Sequence, residues 1–271
     1  MIKKSVAIIG FGWLGKPLAI ALRDNGYSVF VGSRSDEKIA EINELNLYGF
    51  KLTYLDDYEI KISLNATQIN EIDFLIITIP PSNFKNYGLS LSQIAIAFSL
   101  KTKIIFTSST GIYQDVSELV NESGKVIENH PVFLAEQKLR NNLKDRLTII
   151  RLAGLIGKNR HPVKYFVQKG GIPAGSSPVN LVRLEDVIRA LILIIEKDLS
   201  GEIFNIVNNE HPDRIEYYIN AANSIIKIQL NAENKRLGKT IDGTKFEHKT
   251  GFCYKYSIFE WDAFYITTEL T

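Results

Sequence analysis

The stretch Ser5-Val6-Ala7-Ile8-Ile9-Gly10-Phe11-Gly12-Trp13-Leu14-Gly15 decides the fold: an apolar run breaks into Gly10-x-Gly12-x-x-Gly15, and a helix-type segment over 16–25 follows at once. A buried parallel strand that turns sharply into a helix needs Gly10 for the turn. It needs Gly12 so that backbone can approach a pyrophosphate, and Gly15 so that the helix packs on the strand. The helix start then offers free N–H groups and the positive end of its dipole to an anion. The spacing predicts a dinucleotide cradle made by Gly10, Phe11, Gly12, Trp13, Leu14 and Gly15. The same glycines would also suit a tight strand-to-helix turn with no ligand; the strand before them and the helix after them favour the cofactor.

Outward from this motif, short β-branched or apolar runs at 6–9, 28–31, 50–54, 74–78, 103–107 and 147–151 mostly alternate with amphipathic segments such as 18–23 and 38–45. That order predicts an α/β protein with a doubly wound parallel sheet of the Rossmann type. Residues 58–65 read equally as an extra strand or a loop. After Arg151 the pattern changes. Gly154, Gly157, Gly170, Gly171 and Gly175 surround a helix over 184–197, a strand over 203–206 and a helix over 213–225. The expected organisation is a dinucleotide-binding region over 1–151 and a small substrate lobe over 152–271, interleaved with the Rossmann core as one continuous unit.

Composition narrows the function classes. A chain of 271 residues with 45% hydrophobic content can bury a substantial core, and a net charge of +2 with scattered lysines marks neither a nucleic-acid surface nor a polybasic membrane anchor. Cys253 is the single cysteine, which excludes an intramolecular disulfide and any CxxC zinc site. His130, His161, His211 and His248 lack metal-ligand spacing, so no metal is expected. No stretch is apolar for the length of a membrane span, and the N-terminus runs straight into the first strand. The expectation is a cytoplasmic enzyme with a small-molecule substrate; the oligomeric state is left open.

The end of the second strand should carry the residue that reads the ribose. A carboxylate there would accept both ribose hydroxyls and repel a 2′-phosphate. The chain instead has Gly32-Ser33-Arg34-Ser35, where a guanidinium can pair with a phosphate and two hydroxyls add donors. NADP is therefore expected over NAD. The competing reading makes Arg34 a solvated helix-start residue and lets Asp36 or Glu37 serve NAD. Two further strand ends, Thr78-Ile79-Pro80-Pro81-Ser82 and Thr107-Ser108-Ser109-Thr110-Gly111-Ile112-Tyr113, lie where doubly wound sheets place ligands. Ile79, Pro80 and Pro81 are assigned to the cofactor and Ser108 to the substrate, although such hydroxyls also cap turns.

The order of GxGxxG, Ile-Pro-Pro, Ser-Ser-Thr-Gly-Ile-Tyr and Ala135-Glu136-Gln137-Lys138-Leu139-Arg140 resembles the extended short-chain dehydrogenase/reductases, the NAD(P)-dependent epimerase/dehydratase family. The segments beginning at Arg151, Val182 and Ile203 are similar to later pieces of that family, so the resemblance covers about 4–255. The glycine spacing departs from the family's usual GxxGxxG and matches an atypical branch. Active members use Tyr-x-x-x-Lys, in which the lysine lowers the tyrosine pKa and the tyrosine exchanges a proton with the substrate oxygen. Setting Ala135-Glu136-Gln137 on the family pattern puts Glu128 and Val132 at those two places, and neither can do that chemistry. Tyr165-x-x-x-Lys169 is the chain's single match to the dyad, but it falls beyond the sixth strand and reads as coincidence.

Ser109, Thr110 and Tyr113 are then the candidate catalytic hydroxyls, although the family's tyrosine at the position of Tyr113 usually shapes the site without carrying the proton. Arg160 and His161 resemble a substrate-facing loop, with His161 read either as a base or as a loop histidine with a backbone partner. The aromatic alternation over 246–256, with Phe252, Tyr254 and Tyr256, reads first as a closing strand or edge cover and second as a substrate wall. Three functions compete. The leading one is an NAD(P)-binding oxidoreductase or epimerase-like enzyme acting on a small polar, sugar-like substrate. The second is an inactive NADP(H) sensor or regulatory module of the same fold. A reductase of the 6-phosphogluconate-dehydrogenase type is third, and the Gly-rich, strand-containing stretch after Arg151 argues against its all-helical C-terminal domain.

Overall fold

In a computed structural model, which describes residues 4–54, 60–82, 84–227, 231 and 235–261, the opening apolar run is β1 (Ser5–Ile9), inside an eight-stranded sheet. The other strands are β2 (Ser28–Ser33), β3 (Tyr48–Tyr54), β4 (Ile60–Ile62), β5 (Phe74–Ile77), β6 (Lys103–Ser109), β7 (Leu147–Leu152) and β8 (Ile203–Ile206). Their order across the sheet is β8-β7-β6-β5-β1-β2-β3-β4. β1 runs parallel to β2 on one side and to β5 on the other, with Ile9 opposite both Gly32 and Ile77. Val6, Ala7, Ile8 and Ile9 are fully buried, as are Leu75, Ile76 and Ile77. Both faces of these strands are covered, which is why they read as unbroken apolar runs. The ambiguous segment 58–65 contains β4, an antiparallel partner of β3, while residues 55–59 lie outside the described set.

The chain divides into two compact units. The first takes in Met1–Ile112, Ile127–Arg151 and Leu191–Phe204. Its helices include α1 (Gly15–Asp24), α2 (Asp36–Glu44), α3 (Ala66–Glu71), α4 (Tyr87–Ile96) and α5 (Pro131–Leu143). α1 buries Leu18, Ala19 and Leu22 at helical spacing, while Ser35 caps α2 by accepting from the Lys38 N–H. α4 and α5 pack at a point where a side chain on Gly88 would lie 3.1 Å from the Ala135 Cα.

The second unit comprises Tyr113–Val126, Leu152–Ala190 and Asn205–Thr271. It contains α6 (Pro162–Gln168), most of α7 (Leu184–Glu196), α8 (Arg214–Ala221) and α9 (Thr244–Thr250). Three short parallel pairs join Gly154–Ile156 to Leu181–Arg183, Gly175–Ser177 to Lys235–Leu237, and Leu119–Val120 to Thr240–Ile241. Its core gathers Ile156, Val163, Phe166, Tyr217, Tyr218 and Ile258. The helix expected over 213–225 is α8 capped by Asp213, continued by a single wide helical turn over Ala222–Ile226.

The expected closing strand over 246–256 is corrected. Phe246 and Thr250 are buried four residues apart, which is helical spacing, and α9 ends at Gly251. Phe252, Tyr254 and Tyr256 follow as irregular chain. Among the described residues no helix is long and apolar enough to cross a membrane.

Candidate cofactor site

Gly10 has φ +116°, a conformation that L side chains rarely adopt, and a Cβ there would lie 2.6 Å from the Thr78 Oγ1. A Cβ on Gly15 would lie 1.8 Å from the Gly10 carbonyl oxygen. Gly12 is the opposite case, because nothing lies within 4 Å of the Cβ it lacks. The outer glycines are thus filled by the chain itself and the middle one opens to a ligand. Leu14, at the N-cap of α1, offers no side-chain cap, and the helix has no acidic residue in its first turn. That leaves the positive helix end for an anion, and these residues fit a dinucleotide's pyrophosphate.

Beside this loop, at the carboxyl ends of β1, β2, β3 and β5, lies a cavity of about 290 Å³. Its walls include Gly10, Phe11, Gly12, Ser33, Arg34, Lys38, Leu52, Tyr54, Thr78, Ile79, Pro80, Ser82 and Phe84. The Arg34 guanidinium sits over the Tyr54 ring at 5.6 Å, and Phe84 meets that ring edge-on at 5.7 Å. Burial pushes the Tyr54 phenol pKa up, with Arg34 pulling the other way. Neither nearby carboxylate lines the cavity. Asp36 is paired with Lys51 at 2.5 Å, and Glu37 accepts from the Ser35 hydroxyl, which holds its pKa below the usual range. Ser33 accepts from the Ser35 N–H, so both serines shape the turn. Among the described residues, the charged side chains that line the cavity are Arg34 and Lys38, a cationic pair that suits an anion.

Of the residues expected at the cofactor, Gly10, Phe11, Gly12, Ser33, Arg34, Ile79 and Pro80 line this cavity; Trp13, Leu14, Gly15, Ser35 and Pro81 do not. Lys38, Leu52, Tyr54, Ser82 and Phe84 join them without having been singled out in the sequence. Lys38 lies in the first turn of α2, directly after the strand end that carries Arg34.

At the end of β6 the hydroxyls separate. Thr107 donates to the Ile77 carbonyl at 2.9 Å. Ser108 is buried and donates to Glu136 at 2.5 Å, and Glu136 also takes two bonds from Arg151, at 2.7 and 3.1 Å. All three belong to the interior of the first unit, so Ser108 is committed there. Ser109 is half-buried and accepts from the Gly111 N–H at 3.0 Å, while Thr110 is buried in the short turn Thr110–Ile112. In the second unit, Tyr113 is fully buried, and its hydroxyl donates to Asn205 Oδ1 at 2.8 Å.

His161 is 5% exposed and caps α6: its Nδ1 accepts from the Val163 N–H. Its Nε2 lies 3.1 Å from the Tyr217 hydroxyl, which donates to the Ile258 carbonyl. That chain of bonds fixes a neutral ring protonated on Nε2. Burial, and then the Arg183 charge, push its pKa down to about 3, which gives it a structural station. Arg160 is exposed, its backbone paired with Gly157. Tyr165 is exposed on α6, with the Lys169 ammonium 5.7 Å from its ring. Glu128 is exposed ahead of α5, and Val132 is buried in that helix's first turn.

Residues 5–105 match the family model described as NADP oxidoreductase coenzyme F420-dependent. Protein YeeZ of Escherichia coli K12 is 33% identical over 273 residues, covering 93% of this chain and 96% of YeeZ. A glycerol-3-phosphate dehydrogenase (NAD(P)+) of Halalkalibacterium halodurans is 31% identical over 142 residues, 49% of this chain and 37% of that enzyme. Among solved structures, vestitone reductase from alfalfa superposes with a TM-score of 0.75 at 19% identity, covering 96% of both chains. UDP-glucuronic acid 4-epimerase from Bacillus cereus, in complex with NAD, gives 0.74 at 17% identity over 96% of this chain and 97% of its own. At such identities the likeness is one of fold: a Rossmann architecture.

Proposed function

The chain belongs to the family of Escherichia coli YeeZ, and from that premise we propose that it binds NADP(H) through the Gly10–Gly15 loop and the neighbouring cavity. Its proposed activity is that of an NAD(P)-dependent oxidoreductase or epimerase-like enzyme on a small polar, sugar-like substrate. The observation that carries the reading is the rim of the cavity. Arg34 and Lys38 stand at the end of β2, while Asp36 and Glu37 are engaged elsewhere. A 2′-phosphate is a dianion that a guanidinium can grip with two parallel bonds, and among the described residues no carboxylate lines the cavity. The cavity volume, at the lower end of the ~300–1,000 Å³ of ligand pockets, suits the adenosine half of a dinucleotide. The sugar-like substrate is suggested by the UDP-sugar epimerase that shares the fold.

Ser109 is the proposed donor to the substrate oxygen. Its Oγ already accepts from Gly111, which leaves its own proton to give. Thr110 is proposed as its neighbour in the same turn. Ser108 and Tyr113 are left out because each spends its proton inside its own unit. The second reading, a cofactor-binding module without turnover, draws on Glu128, Val132 and the buried Tyr113 hydroxyl, none of which supplies the family's proton relay.

The test is a titration with NADPH, NADP+, NADH and NAD+ that follows Trp13, the fluorophore remaining after Trp261→Phe, and then a turnover screen on UDP-sugars, aldehydes and ketones. NADPH is expected to bind at least about tenfold tighter than NADH, the equivalent of one charge-assisted bond. Equal affinities remove the NADP assignment, and tight binding with no turnover selects the binding module.

A further inference from the structure

We propose that Thr78 is a positioning residue for the phosphate loop, an inference that rests on the cofactor reading above. Thr78 directly follows β5, and its N–H donates to the Ile9 carbonyl at 2.9 Å. Its side-chain Oγ1 lies 3.1 Å from that same carbonyl oxygen and 3.1 Å from the Gly10 carbonyl oxygen. One hydroxyl therefore covers two successive acceptors at the point where β1 becomes the loop.

The Ile9 and Gly10 carbonyls are turned to Thr78, the Gly12 carbonyl accepts from the Lys16 N–H at 2.9 Å, and the Leu14 carbonyl accepts from the Leu18 N–H at 3.1 Å. These four oxygens, each of which would repel a phosphate, are spent on the protein. The N–H groups of the loop beside Gly12 are the donors that a phosphate would use.

The glycines carry the same message. A Cβ on Gly10 would meet the Thr78 Oγ1 at 2.6 Å, and one on Gly15 would lie 3.1 Å from it. The hydroxyl occupies the space those two residues leave, so Thr78 and the glycine pattern form one device. The residue that follows β5 thus props the loop from below and holds the Ile9 and Gly10 carbonyls.

Binding of NADPH, ADP and adenosine to wild type, Thr78→Val and Thr78→Ser tests this, because adenosine has no phosphate. Thr78→Val is expected to weaken ADP and NADPH by about tenfold, one hydrogen bond's worth of loop geometry, while adenosine binds as in wild type. Thr78→Ser, which keeps the hydroxyl, is expected to return both to within about threefold. Should Thr78→Val not fold, Thr78→Ala lacks the same hydroxyl without added bulk and takes its place. Unchanged ADP affinity in the hydroxyl-less variant overturns the proposal, and so does an equal loss for ADP and adenosine, which marks a general scaffold role. Wild-type protein that binds neither NADPH, NADH nor ADP overturns the cofactor reading itself, a result distinct from either.

Discussion

Replacing His161 by Asn should make the stability of the second unit less sensitive to acid, and the structure fixes both sign and size. In the folded chain His161 stays neutral, with Nδ1 capping α6 and Nε2 bonded to the Tyr217 hydroxyl, and its pKa lies at about 3. In the unfolded chain the ring titrates near its ordinary 6.5. Between these values the unfolded state binds one more proton than the folded state, so stability falls as pH is lowered below 6.5. At pH 5 the loss amounts to about 2 kcal/mol, at roughly 1.4 kcal/mol for each pH unit. That figure holds for any folded pKa well under 5, because the native ring is then still neutral. Asn accepts from the helix N–H as His161 does but cannot titrate. Urea unfolding at pH 8 and pH 5, followed through Trp261, whose ring lies 5.2 Å from Tyr217, measures the effect. The stability difference between wild type and His161→Asn should move by about 2 kcal/mol toward the variant between the two pH values. A difference that does not change with pH would refute the reasoning, because the native ring would then be taking up its proton like the unfolded one.

Arg34→Ala should weaken NADP(H) by ~1.5–3 kcal/mol and leave NAD(H) nearly untouched, measured by calorimetry; equal losses would make Arg34 a stacking residue only. Gly12→Ala should fold with a change within about 0.5 kcal/mol, since its Cβ enters open space, yet lose cofactor affinity, whereas Gly15→Ala should lower the melting temperature because its Cβ meets the Gly10 carbonyl at 1.8 Å. Glu136→Ala should cost about 3–5 kcal/mol in chemical unfolding, because it removes the carboxylate from a buried ion pair with Arg151. On any substrate a screen yields, Ser109→Ala should cost on the order of a hundredfold in rate, while Tyr165→Phe on α6 and Lys169→Ala just past its end, both exposed, should cost almost nothing.

The parts of this molecule that were legible in the sequence are those whose physics is local. β1 and β5 announce themselves because a strand covered on both faces has no polar positions to interrupt it, and Arg34 could be placed because it directly follows β2. The direction of a hydroxyl is a different matter. Thr107, Ser108 and Ser109 are consecutive on β6, so they point alternately to opposite faces, and which face holds the ligand depends on residues far along the chain. Ser108 meets Glu136, 28 positions on, and Glu136 in turn pairs with Arg151. The one clue was Arg151 itself, a charge set inside the apolar run Leu147–Leu152, which implies a buried counter-charge. Phe246 shows the reverse error, where an alternation in aromatic residues outweighed the four-residue spacing of Phe246 and Thr250 that makes α9. Tyr54 and Phe84 had no local signal at all. They stand 30 residues apart, at the ends of β3 and of the loop after β5, and become walls of one cavity only because β1 and β2 bring those strand ends to the same edge of the sheet. A cofactor site of this kind is a property of strand order, and strand order follows from the whole set of apolar runs taken together.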